Sequence, residues 1–292
     1  MKTFTLHKIR AGLLLFSLIV AVLVSAIPGS AQAAVLPAST CTEAGGVRTC
    51  DLWATAGTLS LPGSVTVNIW GYAADSVSPA GLPGPMLIAN AGETLVVNLH
   101  NNLGENTSLS IPGLPGKSDI AGVASGGTKA YTFTGLQPGS YLYQAGPTAN
   151  GERQVAMGMY GVLIIRPAGA PLEAYGPAST FDDEAVLVMS EIDPLLNASP
   201  STYNLRDYTP RYFLFNGKAY PNTDMIDTVA GNTVLLRLVN AGVHSRSLGV
   251  LGLRYSVLSI DGKPFPRPHY VSAETLGAGQ TADALIQIPV GA

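Results

Sequence analysis

The chain has 292 residues, of which 12% are charged and 47% hydrophobic, with 33 glycines, 21 prolines and a formal net charge of −3. Charge is far scarcer than the ~25% of an ordinary domain, and no cluster of Lys or Arg follows Arg10, which argues against nucleic acid as a partner because displacing counterions from phosphates needs a basic face. Abundant Gly and Pro without a long apolar repeat at helical spacing predicts short strands joined by many turns.

Met1 to Ala33 carries Lys2, Lys8 and Arg10, an apolar run from Ala11 to Val24, and then Ala31-Gln32-Ala33. That order of charge, hydrophobic core and small residues is the pattern of a secretory signal peptide, with the mature chain expected to start at Ala34. The apolar run is short for a membrane span and no second one follows, so a secreted chain, extracellular or periplasmic, is expected rather than an anchored one. Loss of the three cations takes the formal charge from −3 to −6.

The only two cysteines close the segment Cys41-Thr-Glu-Ala-Gly-Gly-Val-Arg-Thr-Cys50. Folded at Gly45-Gly46 as a two-residue hairpin turn, it sets Ala44 opposite Val47, Glu43 opposite Arg48 and Cys41 opposite Cys50. The cysteines then occupy a non-hydrogen-bonded pair, where Cα atoms come within ~4.5 Å and a disulfide can close. An oxidising compartment makes the bridge structural, and a thiolate copper or redox site lacks both a CxxC spacing and a nearby histidine.

From Asp51 to Tyr72 two alternating runs around Trp53 and Trp70 predict a hairpin turning at Pro62-Gly63, with both tryptophans in the core. Thr94 to Asn101, Lys129 to Phe133, Ser140 to Tyr143 and Gly158 to Arg166 continue the strand series of an all-β sandwich. Met157 and Met159 flank Gly158, and strand alternation would put both on one face; soft thioethers could bind Cu(I), but gap-filling in a core is the plainer role. Ala168 to Thr180 is a Pro/Gly/Ala connection. After it, Asp182, Asp183, Glu184, Glu191 and Asp193 flank a strand over Glu184 to Ser190, as solvated charges protecting an edge would.

An internal repeat sets the architecture. Ala91-Gly92-Glu93-Thr94-Leu95-Val96-Val97-Asn98-Leu99-His100-Asn101 aligns without gaps on Ala230-Gly231-Asn232-Thr233-Val234-Leu235-Leu236-Arg237-Leu238-Val239-Asn240, and Gly126-Gly127-Thr128 on Gly279-Gln280-Thr281. The strands that close the first unit after Phe133 have no counterpart after Ile286, which only six residues follow. The second sandwich is therefore expected to be truncated at its C-terminus and the chain to be part of a longer protein, with a version ending near Pro167 more soluble than the whole.

The Gly81-Leu82-Pro83-Gly84-Pro85 opening, the Ala91-Gly92-Glu93 entry to a strand, Thr107-Ser108, Tyr143 and the closing Gly158-Met-Tyr-Gly161 together resemble the first cupredoxin domain of multicopper oxidases. Phe215-Asn216-Gly217-Lys218, Arg237 to Gly242 and Asp261-Gly262 are similar to the middle domain of that family. The resemblance implies two tandem cupredoxin-like Greek-key β-sandwiches: residues 51–167 after the 34–50 hairpin, and, past a linker at 168–183, residues 184–292.

It also implies copper ligands in two His-x-His pairs. Where they should stand, this chain has Ser110 and Pro112, and Gln144 and Gly146. His100, His244 and His269 remain after signal cleavage, with no His-x-His or His-x3-His spacing between them. The expectation is no catalytic, cofactor or metal site in this chain, with copper, if any, in a C-terminal cupredoxin domain beyond it that would be its partner. No Gly-x-Ser-x-Gly elbow or free cysteine offers a nucleophile. Two functions fit: the scaffold part of a copper oxidoreductase, or a non-catalytic extracellular binding module on the same scaffold.

Overall fold

The computed structural model describes residues 41–291, so the signal-peptide reading lies outside the described residues. The first unit contains β1 (Thr42–Ala44), β2 (Val47–Leu61), β3 (Val65–Ala73), β4 (Leu87–Asn90), β5 (Thr94–Asn101), β6 (Leu109–Ser110), β7 (Thr128–Phe133), β8 (Gly139–Ala145), helix α1 (Gly151–Met157) and β9 (Tyr160–Arg166). One sheet runs β1-β2-β5-β7 with β3 also on β2, and the other runs β4-β9-β8-β6. Between them lies a core that includes Leu52, Leu87, Leu95, Leu99, Tyr143 and Leu163.

The N-terminal hairpin has the register read from its sequence, with Ala44 opposite Val47 and Glu43 opposite Arg48. Gly45 and Gly46 both take positive φ, at 60° and 79°, the backbone a two-residue turn needs to match strand twist. Cys41 and Cys50 are bridged, with Cα atoms 4.3 Å apart. Arg48 does not pair with Glu43; it makes a fork to Glu93 at 2.7 and 2.8 Å. The hydrogen bond to Arg48 holds the Glu93 carboxyl down at about 2. β2 passes unbroken from the hairpin into the sandwich, so the hairpin is the start of the domain and no separate unit. Replacing both cysteines with serine is expected to cost about 2–3 kcal/mol, measured by urea unfolding; two thiols labelled in the denatured, unreduced protein would show the bridge absent.

The second unit contains β10 (Asp183–Ile192), helix α2 (Pro194–Ala198), β11 (Tyr212–Phe215), β12 (Lys218–Ala219), β13 (Thr233–Asn240), β14 (Arg246–Gly249), β15 (Tyr255–Ile260), β16 (Lys263–Val271), β17 (Ala273–Leu276) and β18 (Thr281–Gln287). Its main sheet runs β12-β11-β10-β13-β18-β15-β16, and β14 and β17 form a two-stranded piece. The sequence repeat is a repeat of register: Leu95 lies opposite Phe133 as Val234 lies opposite Ile286, and His100 opposite Thr128 as Val239 opposite Thr281. The parallel pairing of β2 with β5 recurs between β10 and β13. Asn101 and Asn240, aligned in the repeat, each turn a buried carboxamide onto the carbonyl four residues on, Glu105 and His244.

The two units pack through a shared apolar layer. On β8 and β9, Tyr141, Leu163 and Ile165 face the first core, while Leu142, Tyr160, Val162 and Ile164 pack against Val186, Val188, Leu214 and Val239 of the second unit. A chain ended near Pro167 would expose that second set to water, so the solubility expectation is reversed: the sandwich is closed on its own core but carries an apolar outer face.

Three further expectations need correction. Trp53 stands on the outer face of its sheet, its ring 4.3 Å from that of His100 at 8° between planes. Met157 and Met159 do not share a face, because Met157 closes α1 and packs with Leu196 while Met159 lies in the first core; Gly158 at φ 122° redirects the chain between them. Asp182 is exposed, accepting the Thr233 N–H at 2.8 Å, but the other four carboxylates around β10 are not solvated edge charges, because β10 is an interior strand of the sheet. Asp183 bonds Thr228 and Asn232, Glu184 meets Arg166 and Arg237, Glu191 meets His244 and Arg246, and Asp193 caps α2 and receives the Tyr203 hydroxyl. The 168–183 connection is docked as well: its Tyr175 hydroxyl bonds Ser259 and Asp283.

Candidate functional site

The four positions that the resemblance marks for copper ligands lie on β6, β8 and the loops that leave them. Ser110 stands directly opposite Gln144 in the β6–β8 ladder. Side-chain alternation puts Gln144 on the face of Leu142, the face turned toward the second unit. Both residues are half-buried, and Pro112 is exposed. Gly146 is buried, its N–H on the Ser108 carbonyl, and a Cβ there would lie 2.3 Å from the Ser108 Oγ. Around these positions the chain is tied for structure, with the buried Thr107 hydroxyl donating to Gln154 of α1 at 2.9 Å.

Two neutral side-chain oxygens, a proline and a glycine that has no room for a side chain do not fit a copper ion, which takes imidazole nitrogen or sulfur in preference. The three histidines are not brought to them, nor to one another. His100 on β5 holds Asp51 through Nε2 and Thr128 through Nδ1, both at 2.9 Å. His244, in the loop after β13, holds the buried Glu191 through Nδ1 at 2.8 Å. His269 on the exposed edge strand β16 approaches Glu274 at 3.4 Å. Each imidazole thus has a carboxylate of its own. Among the described residues no three His, Cys, Asp or Glu side chains gather to hold a metal.

A cleft of about 350 Å³ opens where the two units meet, with Gln144 at its first-unit wall and Val155, Leu205, Tyr208 and Val243 around it. Sequence reasoning did not find it, since its walls come from segments far apart in the chain. The same holds for the densest polar cluster, around Arg237. This fully buried guanidinium reaches Glu184 at 2.5 Å through Nε, and Ser140 and Asp283 at 3.3 and 3.4 Å through Nη1. Asp283 in turn accepts from Ser140 at 2.5 Å and from Tyr175. Burial pushes the Glu184 carboxyl up, but Arg237 and Arg166 together bring it below the usual carboxylate range. Burial and the Asp283 charge drive the Tyr175 phenol far above its ordinary value. The cluster joins β8, β10, β13, β18 and the interdomain connection, and with no substrate-accessible edge on the buried guanidinium its chemistry is that of a clamp.

Residues 55–170 match the family model described as Multicopper oxidase. Laccase-11 of Arabidopsis thaliana is 28% identical over 228 residues, which is 70% of this chain and 39% of that protein. The copper-containing nitrite reductase of Neisseria meningitidis serogroup B is 24% identical over 222 residues, 70% of this chain and 53% of that protein. The chain therefore spans well under two thirds of the length of these relatives. In fold, the blue copper oxidase from Nitrosomonas europaea superposes with a TM-score of 0.72 at 20% identity over 84% of this chain and 76% of that one. Family model, relatives and fold point the same way: residues 55–170 match the multicopper oxidase model, and the chain is similar to multicopper oxidases and copper-containing nitrite reductases in sequence and shares its fold with a blue copper oxidase.

Proposed function

We propose that this chain is the scaffold portion of a secreted multicopper-oxidase-like protein, in which the two sandwiches hold structure and any redox copper sits in a further cupredoxin domain outside these residues. The observation that carries this reading is the Ser110–Gln144 pair: the β6–β8 ladder sets the two strands together as a ligand platform requires, but with two neutral oxygens in place of imidazoles. Catalysis of the whole protein then depends on groups supplied from outside, and this chain contributes the platform, the interdomain cleft and the Arg237 clamp.

The test is a metal balance. The exported chain, loaded with excess copper and desalted, is expected to retain less than one copper per chain. Retention of one or more, lost when His100, His244 or His269 is replaced by alanine, would overturn the reading.

A further inference from the structure

The outer strand of the second sheet, β16, reads Lys263-Pro264-Phe265-Pro266-Arg267-Pro268-His269-Tyr270-Val271. Every residue from Lys263 to Tyr270 is exposed. The ladder to β15 is interrupted there. Pro264 stands opposite Ser259 and His269 opposite Val257, so the four residues Phe265 to Pro268 face the single residue Leu258 and arch out of the pairing. Beyond the arch Tyr270 is back in the ladder opposite Ser256, its carbonyl held by Arg254 at 2.9 Å. Exposed backbone outside a ladder is where proteases nick a folded chain.

Alternate prolines on an edge strand keep other chains from pairing with it, because they remove N–H donors. That role asks nothing of the residues between them. Here those residues are Lys263, Phe265 and Arg267, the side chains that trypsin-like and chymotrypsin-like proteases select, and each is followed directly by proline. In such a protease the catalytic histidine gives a proton to the nitrogen of the bond being cleaved. A proline nitrogen carries a ring carbon where another residue carries hydrogen, and the ring obstructs that approach. It also restricts the backbone of the residue before it, the one whose side chain the protease must seat. Lys117, exposed in the loop after β6, is followed by Ser118 and has no such block.

We infer that the prolines make this arch refractory to trypsin-like and chymotrypsin-like proteases, keeping the exposed edge of the second sandwich whole where such enzymes are present. The protection lies in the bonds Phe265–Pro266 and Arg267–Pro268, with Lys263–Pro264 at the entry to the arch. It stops where strand pairing resumes, and from there the ladder itself shields the backbone of Tyr270. The inference is independent of the copper reading, because β16 carries none of the four ligand positions.

The test is limited proteolysis of the full chain under native conditions, with the fragments identified by mass spectrometry and cutting after Lys117 as the internal control for trypsin. Neither trypsin nor chymotrypsin is expected to cut the natural chain between Lys263 and Pro268. A proline-specific endoprotease that accepts folded proteins is expected to cut inside the arch, because the backbone there is open. Pro266→Ala is expected to gain a chymotrypsin cut after Phe265, and Pro268→Ala a trypsin cut after Arg267, each without other new fragments. Cutting of the natural chain after Phe265 or Arg267, an arch that resists the proline-specific enzyme, or variants that stay uncut would overturn the inference. New cuts spread through the sheets of a variant would do the same, since they would trace its sensitivity to a loosened fold.

Discussion

Replacing Arg237 with methionine is expected to destabilise the chain by about 3–5 kcal/mol, the cost of leaving a buried carboxylate without its partner. The side chain is fully buried, and so is Asp283 across the β13–β18 ladder. Methionine fills the volume but leaves Asp283 with hydroxyl donors only and Glu184 with Arg166 only. Arg237→Lys should fall between, keeping the charge and losing the planar fork that reaches two carboxylates from one site.

The same substitution should change the response to acid. Glu184 titrates below its unfolded value of 4.5. A carboxylate depressed by folding contributes stability that is complete above the unfolded pKa and disappears as pH falls through the folded one. Unfolding midpoints measured from pH 7 to pH 3 should therefore fall more steeply below pH 4.5 in the natural chain than in Arg237→Met. Parallel curves would mean that Arg237 does not set the Glu184 carboxyl.

A second large effect is expected at Gly217, in the turn between β11 and β12. Asn216 and Gly217 both take positive φ, at 50° and 77°, and the Asn216 carboxamide is locked to the N–H of Val188 and the carbonyl of Val186. The turn docks on the first sandwich so closely that a Cβ on Gly217 would lie 1.8 Å from the Leu82 carbonyl oxygen. Gly217→Ala is expected to cost about 3 kcal/mol, part backbone strain and part separation of the two units.

Gly252 supplies the control. It has the same φ of 77° and nothing within 4 Å of its would-be Cβ. Gly252→Ala carries the backbone term alone, about 1 kcal/mol. Urea unfolding of the two variants side by side measures the difference. Equal losses would show that the approach of the turn to Leu82 contributes nothing.

What was legible in the sequence was local in origin. The Cys41–Cys50 hairpin follows from one turn and a count of residues outward from it, because antiparallel pairing is strictly periodic. The repeat of β5 and β7 in β13 and β18 was legible for a related reason: aligned residues with the same alternation adopt the same register. The Phe215-Asn216-Gly217-Lys218 motif was visible, but not the Leu82 carbonyl that demands its glycine.

Tertiary structure alone decided which faces are covered. Alternation says that β8 and β9 have two sides, and only the packing of the second sheet shows that Leu142, Val162 and Ile164 are core residues of an interface. Acidic residues around β10 look like edge charges until β11 and β13 flank the strand and Arg166, Arg237 and Arg246, remote in sequence, arrive to neutralise them. Trp53 looked like core because aromatic residues in strands usually are; a histidine on the neighbouring strand and an outward register put it on the surface. In each case the missing information was the identity of a neighbour distant in sequence, and burial, charge pairing and close approach are properties of neighbours.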